Sequence, residues 1–306
     1  LYLSKNNFKR YICQLHYITE QNRALGKCFK VLQQRLEPLV VTFDGVSECC
    51  DPYLVLAHLT DNESWKNDVN SFWFKLDFST EEVYFRLYNN NNELATYQAD
   101  PVPFNADDLA YYATINWQQV LIYDGVGCYT VKIEHIINGV STFYEQGEYD
   151  LKQYTNEIAD GTIRLKANFN QYQAIEGIDF TGSNIIDAIR VNGFFGNKKT
   201  DLVVDNIINY GKIEKNVQRE LLNKYVLETD PLLENFINRL TNLYFISEYE
   251  LFVSDYNQFN HTYQYKDVPV IVSQSPELNY PDLSRLATIK IELTDKVKNK
   301  ISKYNG

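Results

Sequence analysis

Methionine is missing from all 306 residues, position 1 included. At ordinary residue frequencies such a gap is improbable, so the expectation is a chain that has been trimmed or that omits some residues. Cysteine is sparse and irregular. Cys13, Cys28, Cys49, Cys50 and Cys128 form an odd set without a CxxC pair, and adjacent Cys49 and Cys50 are poorly placed to chelate one metal. A disulfide-built domain needs a denser, even set in a shorter chain. Reduced thiols made in a cytoplasm are expected, with one stray disulfide as the alternative. No apolar run approaches the ~20 residues of a membrane-spanning helix, and the charged n-region and apolar h-region of a signal peptide are absent. Basic charge is also short: 29 Lys and Arg face 40 Asp and Glu, for a net charge of −11. That balance argues against a protein built to grip nucleic-acid backbone, which would cluster Lys and Arg. It leaves room for a local basic lumen, since net charge averages over faces.

Catalytic signatures are missing too. There is no Gly-x-Ser-x-Gly elbow, no Walker loop and no Cys-His pair in a plausible context. His16, His58, His135 and His261 lie far apart, without the i, i+4 spacing of a helical metal site. His135 sits on an alternating strand and reads as a face residue. The cluster Ser254-Asp255-Tyr256-Asn257, followed by Asn260-His261, could offer oxygens to a cation, but it lacks the glycine and terminal Glu of a calcium loop. An Asx-rich turn is the simpler reading. Gly193-Phe194-Phe195-Gly196 precedes Asn-Lys-Lys rather than a helix, so it reads as a strand end, not a phosphate cradle. Glu81-Glu82 and Asp107-Asp108 read as solvated surface, and no carboxylate pair is placed well enough to name as a glycosidase couple. Neither a catalytic residue, nor a cofactor, nor a metal is expected.

Aromatic residues are present in excess, with 24 Tyr and 17 Phe. Together with 44% hydrophobic residues this supplies real cores and favours strands. Residues 1–64 read as irregular β structure, with alternation over Phe8 to Ile18, Lys27 to Phe43 and Tyr53 to Leu59. Phe72, Phe74, Leu76 and Phe78 alternate with polar partners, as do Val83, Phe85 and Leu87, and Asn89 to Asn92 mark a tight turn. Val120 to Tyr123 leads to the turn at Asp124 to Gly127. Tyr129 to His135 and Val140 to Tyr149 flank Asn138-Gly139, a strong hairpin signal. The run Gly127-Cys128-Tyr129-Thr130-Val131-Lys132-Ile133 resembles the penultimate strand of immunoglobulin-like domains, which suggests a β-sandwich over residues 65–152. Trp65, Trp73 and Trp117 with Tyr84 and Tyr88 could build a sugar-stacking platform on it, although a packed core with ordinary exposed tyrosines is the plainer reading.

One helix stands out among the strands. Asp230 suits the N-cap and Pro231 the first helical position, and Leu232, Leu233, Phe236, Ile237, Leu240, Leu243 and Tyr244 recur at helical spacing. The helix is expected over about 230–247. Val217 to Thr229 fits either helix or strand, and strand is preferred. Tyr249 to Asp255, Val268 to Val272 and Leu286 to Leu293 all carry strand rhythm.

The succession AIRVNGFFG, DNIINYGKIEKNVQRELLNKYVLETDPLL and ISEYELFVSDYNQFNHTYQY, within Asp187 to Tyr265, resembles virion proteins of tailed phages infecting Bacteroidetes, crAss-like phages in particular. The resemblance covers roughly residues 150–300. It implies a tail-tube-like β-sandwich or barrel with one flanking helix (153–306), so that with the immunoglobulin-like sandwich (65–152) the chain is expected to be mainly β. Residues 1–64 would join the C-terminal domain or an interface. It further implies a non-enzymatic ring subunit, either a connector ring of the neck or a tail hub. Such a subunit forms homo-oligomeric rings, meets neighbouring neck and tail proteins, and passes genomic DNA without binding it specifically. Ring contacts are heterologous and favour aromatic residues. Phe194, Phe195, Tyr256, Phe259 and Tyr263 are the interface candidates. The expected location is the virion, assembled in the host bacterial cytoplasm without a membrane partner. A carbohydrate-binding or adhesin β-sandwich is the alternative from a different class, and a hydrolase is third.

Overall fold

The structure is a computed structural model. It describes residues 52–90, 92–103, 109–173, 177–208, 214–247, 250–256, 265–281, 286–296 and 299–302. The expectations for Phe8 to Ile18 and Lys27 to Phe43, and for His16, Asn257, Phe259, Asn260, His261 and Tyr263, lie outside those residues. Strand accounts for 64% of the structure and helix for 10%, so the chain is mainly β, as its aromatic and β-branched content led us to expect.

The first eight strands are β1 (Tyr53–Ala57), β2 (Val69–Lys75), β3 (Glu82–Asn89), β4 (Asn92–Tyr97), β5 (Asp100–Pro101), β6 (Ala110–Asn116), β7 (Gly127–Ile137) and β8 (Val140–Gln153). They form two sheets, ordered β1-β8-β7-β3-β4 and β2-β6-β5. Alternation drives this arrangement. Val83, Phe85 and Leu87 from β3 meet Tyr129, Val131 and Ile133 from β7 in one core with Phe72, Ala113 and Ile115 of the other sheet. Each large side chain buried this way is worth about 1.5–3 kcal/mol. Asn138 and Gly139 both adopt positive φ, 52° and 79°, the requirement of a two-residue hairpin turn. The Tyr129 hydroxyl donates to the Gly125 carbonyl at 2.7 Å, forming the tyrosine corner of immunoglobulin-like sandwiches. β1 runs parallel to β8 from Tyr53↔Tyr149 to Ala57↔Gln153, so Tyr53 to Ala57 belong to this sandwich.

Between β6 and β7 lies a helix that the sequence reading passed over, α1 (Trp117–Tyr123). Asn116 caps it, its Oδ1 accepting from the Gln118 N–H at 3.0 Å. Trp117, Val120 and Leu121 are buried at i, i+3, i+4 spacing. The run is too short for its period to stand out beside strands. The short α2 (Asn156–Ala159) then leads out of β8.

The remaining strands are β9 (Thr162–Phe169), β10 (Tyr172–Gln173), β11 (Ile178–Asp179), β12 (Ile185–Ile208), β13 (Glu214–Thr229), β14 (Glu250–Asp255), β15 (Tyr265–Val272), β16 (Glu277–Asn279), β17 (Thr288–Asp295) and β18 (Asn299–Ser302). Eight of them pair in the order β16-β17-β15-β14-β9-β12-β13-β18, and a further β17–β13 pairing closes β9, β12, β13, β17, β15 and β14 into a six-stranded barrel. Its pairs are antiparallel throughout. Val217 to Thr229 is strand, within β13, as preferred on sequence.

The predicted helix is real but shorter, and it starts later. Asp230 and Pro231 do not cap it. The chain instead forms a bridge at Leu232, whose N–H donates to the Ala287 carbonyl at 2.8 Å and whose carbonyl accepts from the Ala287 N–H at 3.0 Å. The first of these bonds satisfies the Leu232 N–H, a donor that a helix begun at Pro231 would have left without an intrahelical partner. The helix α3 (Glu234–Arg239) follows, with Leu233 in extended conformation before it. It passes directly into a π turn, Leu240–Tyr244, in which the Phe245 N–H donates to the Leu240 carbonyl at 2.9 Å. Leu232, Phe236, Ile237, Leu240, Tyr244 and Phe245 all enter the barrel core. The apolar stripe is therefore core, not surface.

Candidate subunit interface

Two buried polar clusters join the sandwich to the barrel, and they show which surfaces are already in use. From Ile185 to Asn192, β12 pairs with β9 on one side only. On its other side the edge of β2 supplies side chains in place of a ladder. The Ser71 hydroxyl donates to the Ile186 carbonyl at 2.7 Å, and the Asn70 amide donates to the Ala188 carbonyl at 2.8 Å. Asn70 also donates to Asp187 Oδ1 at 2.8 Å, while its own Oδ1 accepts from Trp117 Nε1 at 2.7 Å. Asp187 is wholly buried and accepts four bonds: from Asn70 and the Ser71 N–H on Oδ1, and from Arg239 and Tyr244 on Oδ2, both at 2.7 Å. Burial alone would lower the Arg239 pKa; the Asp187 charge overrides it, with the neighbouring tyrosines, and carries the guanidinium well above its ordinary range.

The second cluster centres on Asp68. It accepts from Arg164 Nε at 2.7 Å and from Arg190 Nε at 2.5 Å. Arg164 also reaches Asp267 at 3.0 Å, and Lys166 reaches the same carboxylate at 2.7 Å. Burial pushes the Asp267 pKa up, but Arg164, Lys166 and the Ser64 hydroxyl outweigh it and hold the carboxyl below its usual value. Arg164 and Arg190 are themselves paired across β9 and β12. Two guanidiniums side by side need a shared anion, and Asp68 from the sandwich supplies it. These clusters bind the two halves of the chain together.

Of the five residues proposed for ring contacts, the three that are described, Phe194, Phe195 and Tyr256, sit in different surroundings. Phe195 is 1% exposed, stacks on Tyr225 with centroids 5.0 Å apart and meets Tyr265 edge-on at 5.1 Å. It is a core residue, and the sequence reading is corrected here: paired with Leu227, its side chain points inward. Its neighbour Phe194 points the other way and is 38% exposed. Tyr256 is half-buried beside Leu56, Tyr154 and Ala159 and bridges Asp160. Asp255 is buried, with its Oδ2 accepting from the Phe195 N–H at 2.8 Å. Desolvation raises its pKa to about 6 against that hydrogen bond, and Asp160 adds to the rise.

The aromatic platform is not assembled. Trp73 and Tyr84 lie on different sheets. Trp73 packs on Phe169 and Phe180 of the second half, Trp117 is core, and Trp65 meets Tyr154 and the ammonium of Lys266. Tyr84 and Tyr88 share a face of β3 with Arg86 between them, which is itself tied to Glu93 and Glu134. His58 accepts the Thr60 and Asp61 N–H groups in a turn, and His135 is buried against Glu81 at 2.9 Å. Among the described residues no cluster of His, Cys, Asp and Glu is grouped to hold a metal. Cys128 is disulfide-bonded, against the expectation of reduced thiols; the other four cysteines lie outside the described residues.

One exposed apolar surface is not foreseen by the sequence reading. β12 and β13 do not stop at the barrel wall. They continue as a paired arm from Lys199↔Lys224 to Ile208↔Glu214, beyond a register shift between Gly196 and Lys199. On β13, buried Leu227 and Tyr225 are followed at the same period of two by Leu221, which is exposed. Leu221 lies opposite Leu202. The face that is core at the barrel is therefore uncovered along the arm. The aliphatic run Leu202-Val203-Val204, with Ile207-Ile208, is the available signal; the sequence reading ends its strand at Gly196.

No known protein-family model matches the chain, and no curated protein matches it in sequence.

Proposed function

We propose that this chain is a non-enzymatic structural protein of a virion: a ring-forming subunit of the neck or tail of a tailed phage, acting as a connector ring or tail hub and forming part of the DNA conduit. The observation that carries this reading is the arm of β12 and β13. Built from β12 and β13, with β18 alongside β13 from Gln218 to Leu221, it leaves leucine and valine exposed beyond the barrel, and apolar surface of that kind marks a contact. Heterologous contacts between copies bury such a ribbon and close by rotation into a ring. The barrel with one flanking helix is the architecture that the resemblance over residues 150–300 implies, and the sandwich joined to it is the one suggested by the run from Gly127 to Ile133. The two halves are fixed to one another by buried ion pairs, which suits a rigid building block.

The net charge of −11 is consistent with a channel wall past which DNA slides without being held, since backbone binding would slow its passage. The disulfide at Cys128 is compatible with a particle that is assembled in a host cytoplasm and then leaves it, because virion surfaces tolerate disulfides that cytosolic proteins do not. Electron microscopy of the purified chain and of virions tests the reading. Closed rings, and density for the chain at the neck or tail, are the expected result. A persistent monomer that is absent from particles rejects it.

A further inference from the structure

The arm is one half of a contact, and the same chain carries a surface suited to be the other half. β8 is paired with β1 only from Tyr149 to Gln153. Its earlier part, Val140 to Glu145, is bonded to β7 on one side, and no other described strand pairs with it. Among the described residues this is an open sheet edge with the sequence VSTFYE. Natural edges are blunted by lysine, proline or inward-pointing charge, and this stretch has none of these before Glu145. Phe143 is 51% exposed, and Val140 and Tyr144 are exposed beside it.

The arm presents a matching edge. Beyond Asn192, β12 has β13 as its only described partner, so its far edge is open along Leu202-Val203-Val204, where Leu202 is 57% exposed. The two segments are of opposite charge within an acidic chain. The described side chains of the arm include four basic residues (Lys198, Lys199, Arg219, Lys224) against three acidic ones (Asp201, Asp205, Glu220). From Val140 to Tyr149 the charges are Glu145 and Glu148 only, and Asp150 follows.

The geometry points to a second copy of this chain as the occupant: the β12–β13 arm of one subunit adds to the free β8 edge of the next, extending its five-stranded sheet. Strand addition supplies main-chain hydrogen bonds, and the alternating apolar side chains supply register. Arm and edge are different surfaces, so the contact is head-to-tail and propagates around a ring without two-fold symmetry. This inference rests on the ring-subunit reading and names its contact.

Purified full chain carrying Leu202→Asp (arm) or Phe143→Lys (edge) separates the two ideas by light scattering after size exclusion. Both positions are solvent-exposed, and melting curves that match wild type confirm folding; Val203→Asp and Val140→Lys replace any variant that melts early. Wild type is expected as large assemblies and each variant alone as a monomer. An equimolar mixture is expected to give dimers and nothing larger, because only one intact arm meets one intact edge. Assemblies that persist in both variants, or a mixture that stays monomeric, overturn the arm-to-edge contact and leave the ring reading standing. A monomeric wild-type chain overturns both.

Discussion

The Tyr244 hydroxyl donates to the carboxylate of Asp187 at 2.7 Å, on the same oxygen that takes the Arg239 guanidinium. Arg239 and Tyr244 are five residues apart, a spacing that an α-helix would spread around its axis. The π turn at Leu240–Tyr244 brings both onto one side, and such turns recur where a side chain must be re-aimed. Asp187 is thus the point where β2, β12 and the helix meet. Replacing it with alanine strands a buried guanidinium, a loss of about 3–5 kcal/mol. Tyr244→Phe removes one charge-assisted bond and should cost about 2 kcal/mol. Urea unfolding at neutral pH compares them. Equal losses for the two variants would mean that Arg239 finds another anion and that the carboxylate is not the hub.

Much of the fold was legible from local rules. Asn138-Gly139 is a turn because its backbone needs two positive φ values, and the strands of the sandwich follow from alternation around Phe85 and Tyr129. The stripe from Leu232 to Tyr244 announced a helix for the same kind of reason. Its start was misread because Asp230-Pro231 is a good local cap, yet the bridge between Leu232 and Ala287 is a contact across 55 residues of sequence that no local rule contains. Phe194 and Phe195 looked equivalent in sequence; which of them faces inward depends on the register with Leu227 and Glu228. The candidate interface was the least legible part. An exposed Leu202 and a buried Leu227 look alike until the end of the barrel is known.

Gly193 is the tightest backbone site among the described glycines. A Cβ there would lie 2.4 Å from the Glu228 carbonyl oxygen and 2.8 Å from the Thr229 Cα, at a φ of +154°. Both obstacles are main chain of a paired strand, so neither can swing away. Gly161 also has positive φ, 76°, but a Cβ there meets nothing within 4 Å. Gly161→Ala should therefore cost about 1 kcal/mol from backbone conformation alone, and Gly193→Ala several times more. Thermal melts of the two variants check the ranking. A Gly193→Ala melting point equal to that of Gly161→Ala would show that β12 and β13 can part at this position.

The tyrosine corner makes a narrower prediction. Tyr129 is buried, and its hydroxyl holds the Gly125 carbonyl ahead of β7. Tyr129→Phe keeps the ring in the core and removes this bond together with the one to the Asn89 side chain, so the expected loss is about 1–2 kcal/mol. Denaturant unfolding followed by tryptophan fluorescence is a suitable readout, since Trp117 lies 6.0 Å from the Tyr129 ring. No change in midpoint would mean that the turn at Gly125 is held by its neighbours without the hydroxyl.

Asp255 gives a pH dependence whose sign follows from its burial. Desolvation raises its carboxyl from 3.8 to about 6 in the folded chain. Between those values the folded protein keeps a proton that the unfolded chain has released, so stability falls as pH rises through the window. Below about pH 4 both states are protonated and no penalty remains; above about pH 7 both are ionised and the penalty is complete. Asp255→Asn keeps an Oδ1 to accept the Phe195 N–H but carries no charge. Its stability relative to wild type should therefore rise from about pH 4 to about pH 6 and then level off, with a span of at most about 3 kcal/mol. Other titrating groups are common to both proteins, so the difference between the two unfolding curves isolates this carboxyl. A difference that is flat with pH would place Asp255 in contact with water or with a cation that offsets its burial.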